Sequence, residues 1–516
     1  MEAQAISRSL EDFLAQSPAA VVIEGGEVIF DFAAAKYTCS AERGKCLLHL
    51  WSDERNTVRR VLDAETSRNG TLRLKVQRFG QARPGIMEIC RDRDRRTPWA
   101  SKAARIAYRR LLERVLERSF PDLTVGRMST AADLEQSFGP VYTRGELRRG
   151  NSCWAVKAQE TQGAIDASVT FGLLWLDACR SQSRGVVEGL KLLVPAGISS
   201  IVRERMALLN HQAARFELYE LDEREGSIAA LDCRDRGNIA TRLVHAPNEE
   251  TVRARFAAAI ARVMELAPEA EFRVLSSTEI AFRLRGMEFA KAQMAQGPGF
   301  RNVEEIVFGA GPYQATLADE NAAEFAGFVR AVRNARRPDG LHTHPLWRMQ
   351  PERWLESLVE RDVSVLDSRL DPACVYSQVP AFSASDRAMI DVLTLTRERR
   401  LAVVELKADE DIHLPLQGLD YWARVEWHRA RGEFQKFGYF PGIGIADAPP
   451  LLFLVAPALR VHPTTDALLR YRAPEIECEL IGIGEKWRKG IQVVFRKRRD
   501  NLFAADSLPR AESRGG

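Results

Sequence analysis

The sequence predicts a multidomain protein of mixed α/β class. Three patterns carry that expectation. Short apolar runs cut by turn residues fill residues 1–97, strand-like and helix-like patterns alternate from residue 98, and a further mixed unit closes the chain. A length of 516 residues also exceeds what one hydrophobic core organises, and about 150 residues per domain gives three or four domains.

Residues 1–97 read as a β-rich domain. "AVVIEGG", "EVIFDFA", "CLLHLW", "NTVRRVLDAE", "TLRLKVQRF" and "GIMEIC" are apolar runs separated by Gly, Asn and Asp, as in a small sandwich or barrel. "RDRDRRTP" ends that pattern. Residues 98–240 read as an α/β domain. "SKAARIAYRRLLERVLERSF" carries a helical apolar stripe, and "CWAVKA", "GLKLLVP" and "RFELYEL" are strands. Helices "DASVTFGLLWLDACR" and "SIVRERMALLNHQA" separate them, a series that predicts a parallel sheet. Residues 241–340 add the helix "EETVRARFAAAIARVMELA", the strands "EFRVLSS", "EIAFRLRG" and "EEIVFGA", the helix "NAAEFAGFVRAVRNAR" and a Pro/Gly-punctuated linker. Residues 345–500 run α-β-β-β-α-β-α-β, beginning with "PERWLESLVERD", whose proline suits a first helical turn. Residues 501–516 read as a disordered tail.

Composition narrows the function classes. Apolar residues make up 45% and charged residues 28%, as in ordinary globular proteins. No run of about 18 apolar residues suggests a membrane span, and "MEAQAISRSLEDF" is too polar for a signal peptide. Eight scattered cysteines form no CxxC pair, so neither a zinc site nor a disulfide framework is expected, and a reducing cytoplasm fits. A net charge of +4 gives no bulk polycation. Arginine nonetheless clusters in "RDRDRR", "RRLLERVLER", "RGELRR", "RNARR" and "RKRR", each read first as a solvated face.

The informative stretch is "AMIDVLTLTRERRLAVVELKADEDIHLPLQGLDYW", residues 388–422. Two strand-like runs carry charges where a buried strand should be aliphatic: Asp391 in the first, Glu405 and Lys407 in the second. If "RER" is the turn and Thr396 pairs with Arg400, an antiparallel ladder sets Asp391 opposite Glu405 on one face. Lys407, two residues on, shares that face. Facing carboxylates repel unless a cation lies between them, and such oxygen donors suit Mg²⁺ or Mn²⁺. A lysine beside the metal orients or deprotonates a water, or stabilises charge on a phosphate.

Asp391 followed by Glu405-Leu406-Lys407, within an α-β-β-β-α-β order, resembles the PD-(D/E)XK nuclease superfamily. Glu356 on the preceding helix, and Gln417 and Tyr421 one turn apart on the following one, match further positions of that pattern. The arrangement is most similar to the C-terminal domain of NucS-type endonucleases. It covers roughly the last 150 residues, and Ile390 stands where the literal motif has proline. The resemblance implies a restriction-endonuclease-like core and a Mg²⁺-dependent (or Mn²⁺-dependent) endonuclease acting on DNA. Asp391, Glu405 and Glu356 would hold metal, Lys407 would position the water, and Gln417 would support the site. Tyr421 would contact nucleic acid. DNA repair, defence or mobile-element processing are the settings it suggests, and a homodimer is left open.

Other residues carry weaker signals. Lys486, Trp487, Arg488 and Lys489 in "EKWRKG" suit backbone gripping and base stacking, or an exposed hairpin. His342 and His344 read as exposed linker residues, Asp409, Glu410 and Asp411 as a solvated turn, and Trp422 and Trp427 as core. Residues 98–240 read as a non-catalytic α/β domain, since "CWAVKAQE" lacks the E-x-K pair, with a worn second copy of the nuclease fold left open. The alternative functions are a catalytically inactive nuclease fold that binds nucleic acid, and a regulatory scaffold whose arginines meet acidic partners.

Overall fold

A computed structural model describes residues 3–15, 20–24, 27–32, 36–42, 45–51, 56–66, 71–77, 84–90, 98–130, 142–159, 165–237, 239–296, 302–310, 313–383 and 387–498. The expected tail lies outside them. The architecture is multidomain and mixed α/β, with four sheets among the described residues. No described helix is long and apolar enough to cross a membrane.

The first sheet is antiparallel, with seven strands between Val21 and Cys90. The helix Ala3–Ala15, which the sequence reading passed over, packs on it. Its Ile6, Leu10, Phe13 and Leu14 form one buried stripe at helical spacing. The strand Lys36–Glu42 was also unforeseen, because "KYTCSAE" has little apolar content. A five-stranded antiparallel sheet runs from Glu271 to Thr316. Its strand Met287–Gln296 escaped notice because Ala, Lys and Gln are poor strand formers. The helix expected over "EETVRARFAAAIARVMELA" is two, Glu249–Arg255 and Ala257–Leu266, broken at the wholly buried Phe256.

The remaining two sheets share one topology. In residues 98–231 a helix (Pro98–Ser119) precedes three antiparallel strands, Thr124–Val125, Thr143–Arg149 and Ser152–Ala158. The helix Ser168–Gln182 crosses to the parallel strand Val186–Pro195, and the short helix Ser200–Met206 to the parallel strand Arg215–Asp222. Ser227–Leu231 closes the sheet antiparallel. In residues 351–498 the helix Pro351–Arg361 precedes the strands Leu370–Ser383, Arg387–Thr396 and Leu401–Leu406. Helix Leu414–Ala430, strand Leu451–Pro457, helix Thr465–Arg470 and strands Cys478–Ile483 and Val493–Arg498 follow with the same pairings and strand order. The strand Thr241–Leu243, placed by sequence in the 241–340 segment, adds to the free edge of this second sheet.

The two units meet reciprocally. Arg205 of the first unit's short helix donates to Asp420 on the second unit's long helix at 2.7 Å, and Arg470 of the second unit's short helix donates to Asp177 on the first unit's long helix at 3.0 Å. The segments after the two short helices pair with each other: Asn210 N–H donates to the Tyr471 carbonyl, Ala473 N–H to that of Leu208, and Leu209 bridges Arg472. This pairing ends the helix Ser200–Met206, which the sequence pattern had extended to residue 213. One apolar core spans both units, from Leu190 and Leu192 to Leu452 and Leu454.

The Arg205–Asp420 pair is mostly buried, with side chains 10% and 12% exposed. Removing one partner leaves the other charge uncompensated, so Arg205→Ala is expected to cost about 3 kcal/mol. Arg205→Met combined with Asp420→Leu should recover most of that loss. Urea denaturation of the full chain followed by near-UV circular dichroism measures both.

Candidate active site

The hairpin that carries the site is set by its turn. Thr396 N–H donates to the Arg400 carbonyl at 2.7 Å, and Arg399 takes φ +64° to close the loop. Val392 then pairs with Val404 and Leu393 with Val403. The ladder ends there, and Asp391 and Glu405 are the next residues on the two strands. The Asp391 Oδ2 accepts the Leu406 N–H at 2.9 Å, which ties the carboxylate to the neighbouring strand. Beyond the strand end, Lys407 N–H donates to the Val455 carbonyl at 2.9 Å. Asp391, Glu405, Lys407, Gln417 and Tyr421 all line one cleft of about 1800 Å³.

Glu405 and Lys407 are only 1% and 4% exposed. Neither Glu405 oxygen accepts a well-formed hydrogen bond. The Lys407 Nζ stands 3.5 Å from Glu405 Oε1, 3.8 Å from Glu352 and 3.8 Å from Asp411. Burial, with the charge of Glu356 added, lifts the Asp391 carboxyl to about 6. Burial and then Asp391 push Glu405 well above the ordinary carboxylate range. Burial works against the charge of Lys407, but Glu352, Glu405, Asp411 and Asp391 outweigh it and hold the ammonium well above its usual value. Lys407 is therefore a fixed cation at neutral pH. Tyr421, buried among these acids, has its phenol raised by burial and accepts a hydrogen bond from Gln417 Nε2 at 3.2 Å.

Three neighbours escaped the sequence reading. Gln378 Nε2 donates to Glu356 Oε2 at 2.7 Å and lies 3.4 Å from Asp391 Oδ1. It takes φ +53° in the middle of a strand, a conformation a side chain rarely adopts. Its only signal in sequence is a polar residue inside "CVYSQVPAF". Glu352 gave no signal. Asp411 was read as part of a solvated turn, yet it faces Lys407.

Several expectations need correction. Glu356 is buried and receives hydrogen bonds from Arg353 at 2.9 Å and Gln378, and it does not line the cleft beside the two carboxylates. Both of those hydrogen bonds go to Oε2; Oε1 is buried without a partner, and the charge of Glu356 still reaches Asp391. Trp487 cannot stack on a base: it is 2% exposed and packs edge-on against Trp354. Arg488 lies over Trp347 and Trp487, both at 4.0 Å, so it caps a tryptophan cluster. Lys486 and Lys489 are exposed and away from the cleft. His344 caps a short helix and His342 stacks on Trp347, in keeping with linker roles. Trp422 is buried, its Nε1 donating to the Pro450 carbonyl.

The cleft wall mixes charges. Arg273 pairs with Glu360, Arg361 with Glu271 at 2.6 Å, and Arg353 with Glu356. Arg283 lines the same cleft with no ion-pair or hydrogen-bond partner among the described residues.

The first unit offers a comparison within the chain. Lys157 pairs with Leu192 as Glu405 pairs with Leu454, and Gln159 N–H donates to the Leu193 carbonyl as Lys407 N–H does to Val455. A Cβ on Gly172 would meet Leu190 and Leu192, and one on Gly418 would meet Leu452 and Leu454. Lys157 and Gln159 thus occupy the positions of Glu405 and Lys407, and Arg144, which pairs with Lys157, occupies that of Asp391. Lys157 Nζ donates to Gln159 at 2.8 Å and to Ser168 at 3.1 Å.

Among the described residues, no group of three or more His, Cys, Asp or Glu side chains is gathered as a metal centre. Set against known proteins, the chain matches no family model and no curated protein.

Asp391 is held ionised against its burial at neutral pH. Its raised carboxyl means the folded state binds the proton more tightly than the unfolded one, so its favourable contribution is full below about 4 and lost as pH rises through about 6. Asp391→Asn, whose Oδ1 can still accept the Leu406 N–H, should therefore stabilise the metal-free protein by about 2 kcal/mol above that range. The gain should fade as pH drops from about 6 to about 4. Urea titrations across that range measure it.

Proposed function

We propose that the C-terminal unit is a restriction-endonuclease-like, PD-(D/E)XK-type domain and that the protein is a metal-dependent endonuclease acting on DNA. The observation that carries this reading is a buried carboxylate pair, Asp391 and Glu405, with both Glu405 oxygens lacking hydrogen-bond donors and the Lys407 ammonium beside them. Repulsion and burial make this arrangement costly for a protein that uses it only as structure.

The donors fit a hard divalent cation. Asp391 keeps one oxygen on the Leu406 amide and the other at 3.4 Å from Gln378 Nε2, a long contact a cation could replace, and Glu405 presents two. Mg²⁺ is commonly held by one or two carboxylates, with water and substrate phosphate completing its shell, so two suffice. Asp391 and Glu405 would hold Mg²⁺ or Mn²⁺, which when bound supplies charge neutralisation and an acidified water for phosphodiester hydrolysis. Lys407, kept charged by its four acidic neighbours, acts as a hydrogen-bond donor to the water or to the phosphate oxygens as their charge grows, rather than as a base. Arg353 and Gln378 hold Glu356 behind the site, and Gln378 also reaches Asp391. Arg283 lines the cleft in the field of Glu356, Glu288 and Glu271, and is the cation we assign to a backbone phosphate.

Two variants separate the roles. Glu405→Gln should abolish nicking of plasmid DNA and weaken Mn²⁺ binding in isothermal titration. Lys407→Ala should abolish nicking while Mn²⁺ binding persists or tightens, because a competing cation is gone. Wild-type nicking by Lys407→Ala would remove the lysine from the chemistry.

The paired state of most cleft arginines predicts shallow salt dependence. Arg283→Ala should weaken DNA binding in a Glu405→Gln background and lower the log–log salt slope by about 0.9, one phosphate contact. Fluorescence anisotropy over a salt series reads the change, and an unchanged slope would exclude the contact.

A further inference from the structure

We propose that residues 98–231 act as the partner subunit of residues 351–498, so that one chain is a complete, self-paired enzyme that cuts one strand per encounter. The clause about cutting rests on the proposed nuclease activity; the self-pairing does not.

The interface between the two units has the reciprocity of a two-fold dimer. In such an interface, contact i to j in one direction is matched by j to i in the other. Here the short helix of each unit sends an arginine to an aspartate on the long helix of the other, Arg205 to Asp420 and Arg470 to Asp177. The segments that follow those short helices pair with one another in antiparallel fashion, Leu208 with Ala473 and Leu209 with Arg472. Each unit thus uses the same face to receive the other. That face is consumed within the chain, so a second copy has no room to dock on it.

The two units differ where chemistry would occur. At three matched positions Asp391, Glu405 and Lys407 are replaced by Arg144, Lys157 and Gln159. Charge is inverted at the two metal-holding positions. Lys157 is fully buried and hydrogen-bonded to Gln159 and Ser168, while Arg144 lies over the rings of Tyr142 and Trp175. Among the described residues, a cation at these groups would meet two positive charges and no carboxylate at the three matched positions. The pair therefore carries one acidic centre rather than two, and a duplex bound across it would meet one cutting site for its two strands.

Two measurements on the full-length chain test this. In sedimentation velocity it should run as a single chain over the whole concentration range; a dimer would overturn the proposal whatever the cleavage result. With supercoiled plasmid and Mn²⁺, nicked circles should accumulate first and linear DNA arise only later from independent nicks. Linear product appearing without a nicked precursor would overturn it. Mixing wild type with an equal amount of Glu405→Gln should halve the nicking rate, whereas a larger loss would reveal cooperation between chains and contradict self-pairing. A monomer that cuts nothing would sink the nuclease reading and the single-strand clause while supporting the self-pairing.

Discussion

Burying two carboxylates on facing positions of adjacent strands is the constraint on which the C-terminal unit turns. The hairpin register leaves Asp391 and Glu405 no route to opposite faces, because a shift of one residue would also turn the apolar Val392, Val403 and Val404 out of their cores. The surrounding structure moderates the cost in part. An amide holds one oxygen of Asp391, and Lys407 brings a positive charge. Both carboxyls nevertheless remain above their ordinary range, Asp391 because of burial and the charge of Glu356, Glu405 because of burial and the charge of Asp391. A divalent cation would reverse the balance, since it turns repulsion into shared coordination.

The first unit is a control experiment within the same chain. It has the same strand order and the same helix-to-sheet contacts, yet its ladder carries Arg144 and Lys157. Lys157 finds a glutamine and a serine, so its charge is hydrogen-bonded, and the aromatic Tyr142 and Trp175 supply π faces to Arg144. The fold therefore tolerates charge of either sign at these positions. The acidic set in the second unit is therefore not a requirement of the topology.

The site pair was legible in sequence because burial of a charged residue in an aliphatic run is rare, and because a three-residue turn fixes register without further information. Thr396, Arg400 and the intervening "RER" were enough to set Asp391 opposite Glu405. What was not legible depends on contacts between distant segments. Nothing around Glu356 in the sequence announces its contacts with Arg353 and Gln378, and Trp487 reads as an exposed hairpin aromatic until Trp354 is seen beneath it. Gln378 owes its role to an unusual backbone conformation that no residue pattern announces. The second copy was suspected, but "CWAVKAQE" aligns with "LAVVELKA" only when the neighbouring parallel strands supply the register.

The central claim is that Asp391 and Glu405 form a cation site. Crystals soaked in Mn²⁺ and measured for anomalous scattering test it most directly. A cation site there gives one strong peak between the two carboxylates, with oxygens at about 2.1 Å and Lys407 turned toward the open side of the cleft. A map without a peak there, with Glu405 instead protonated and hydrogen-bonded to Asp391, would contradict it.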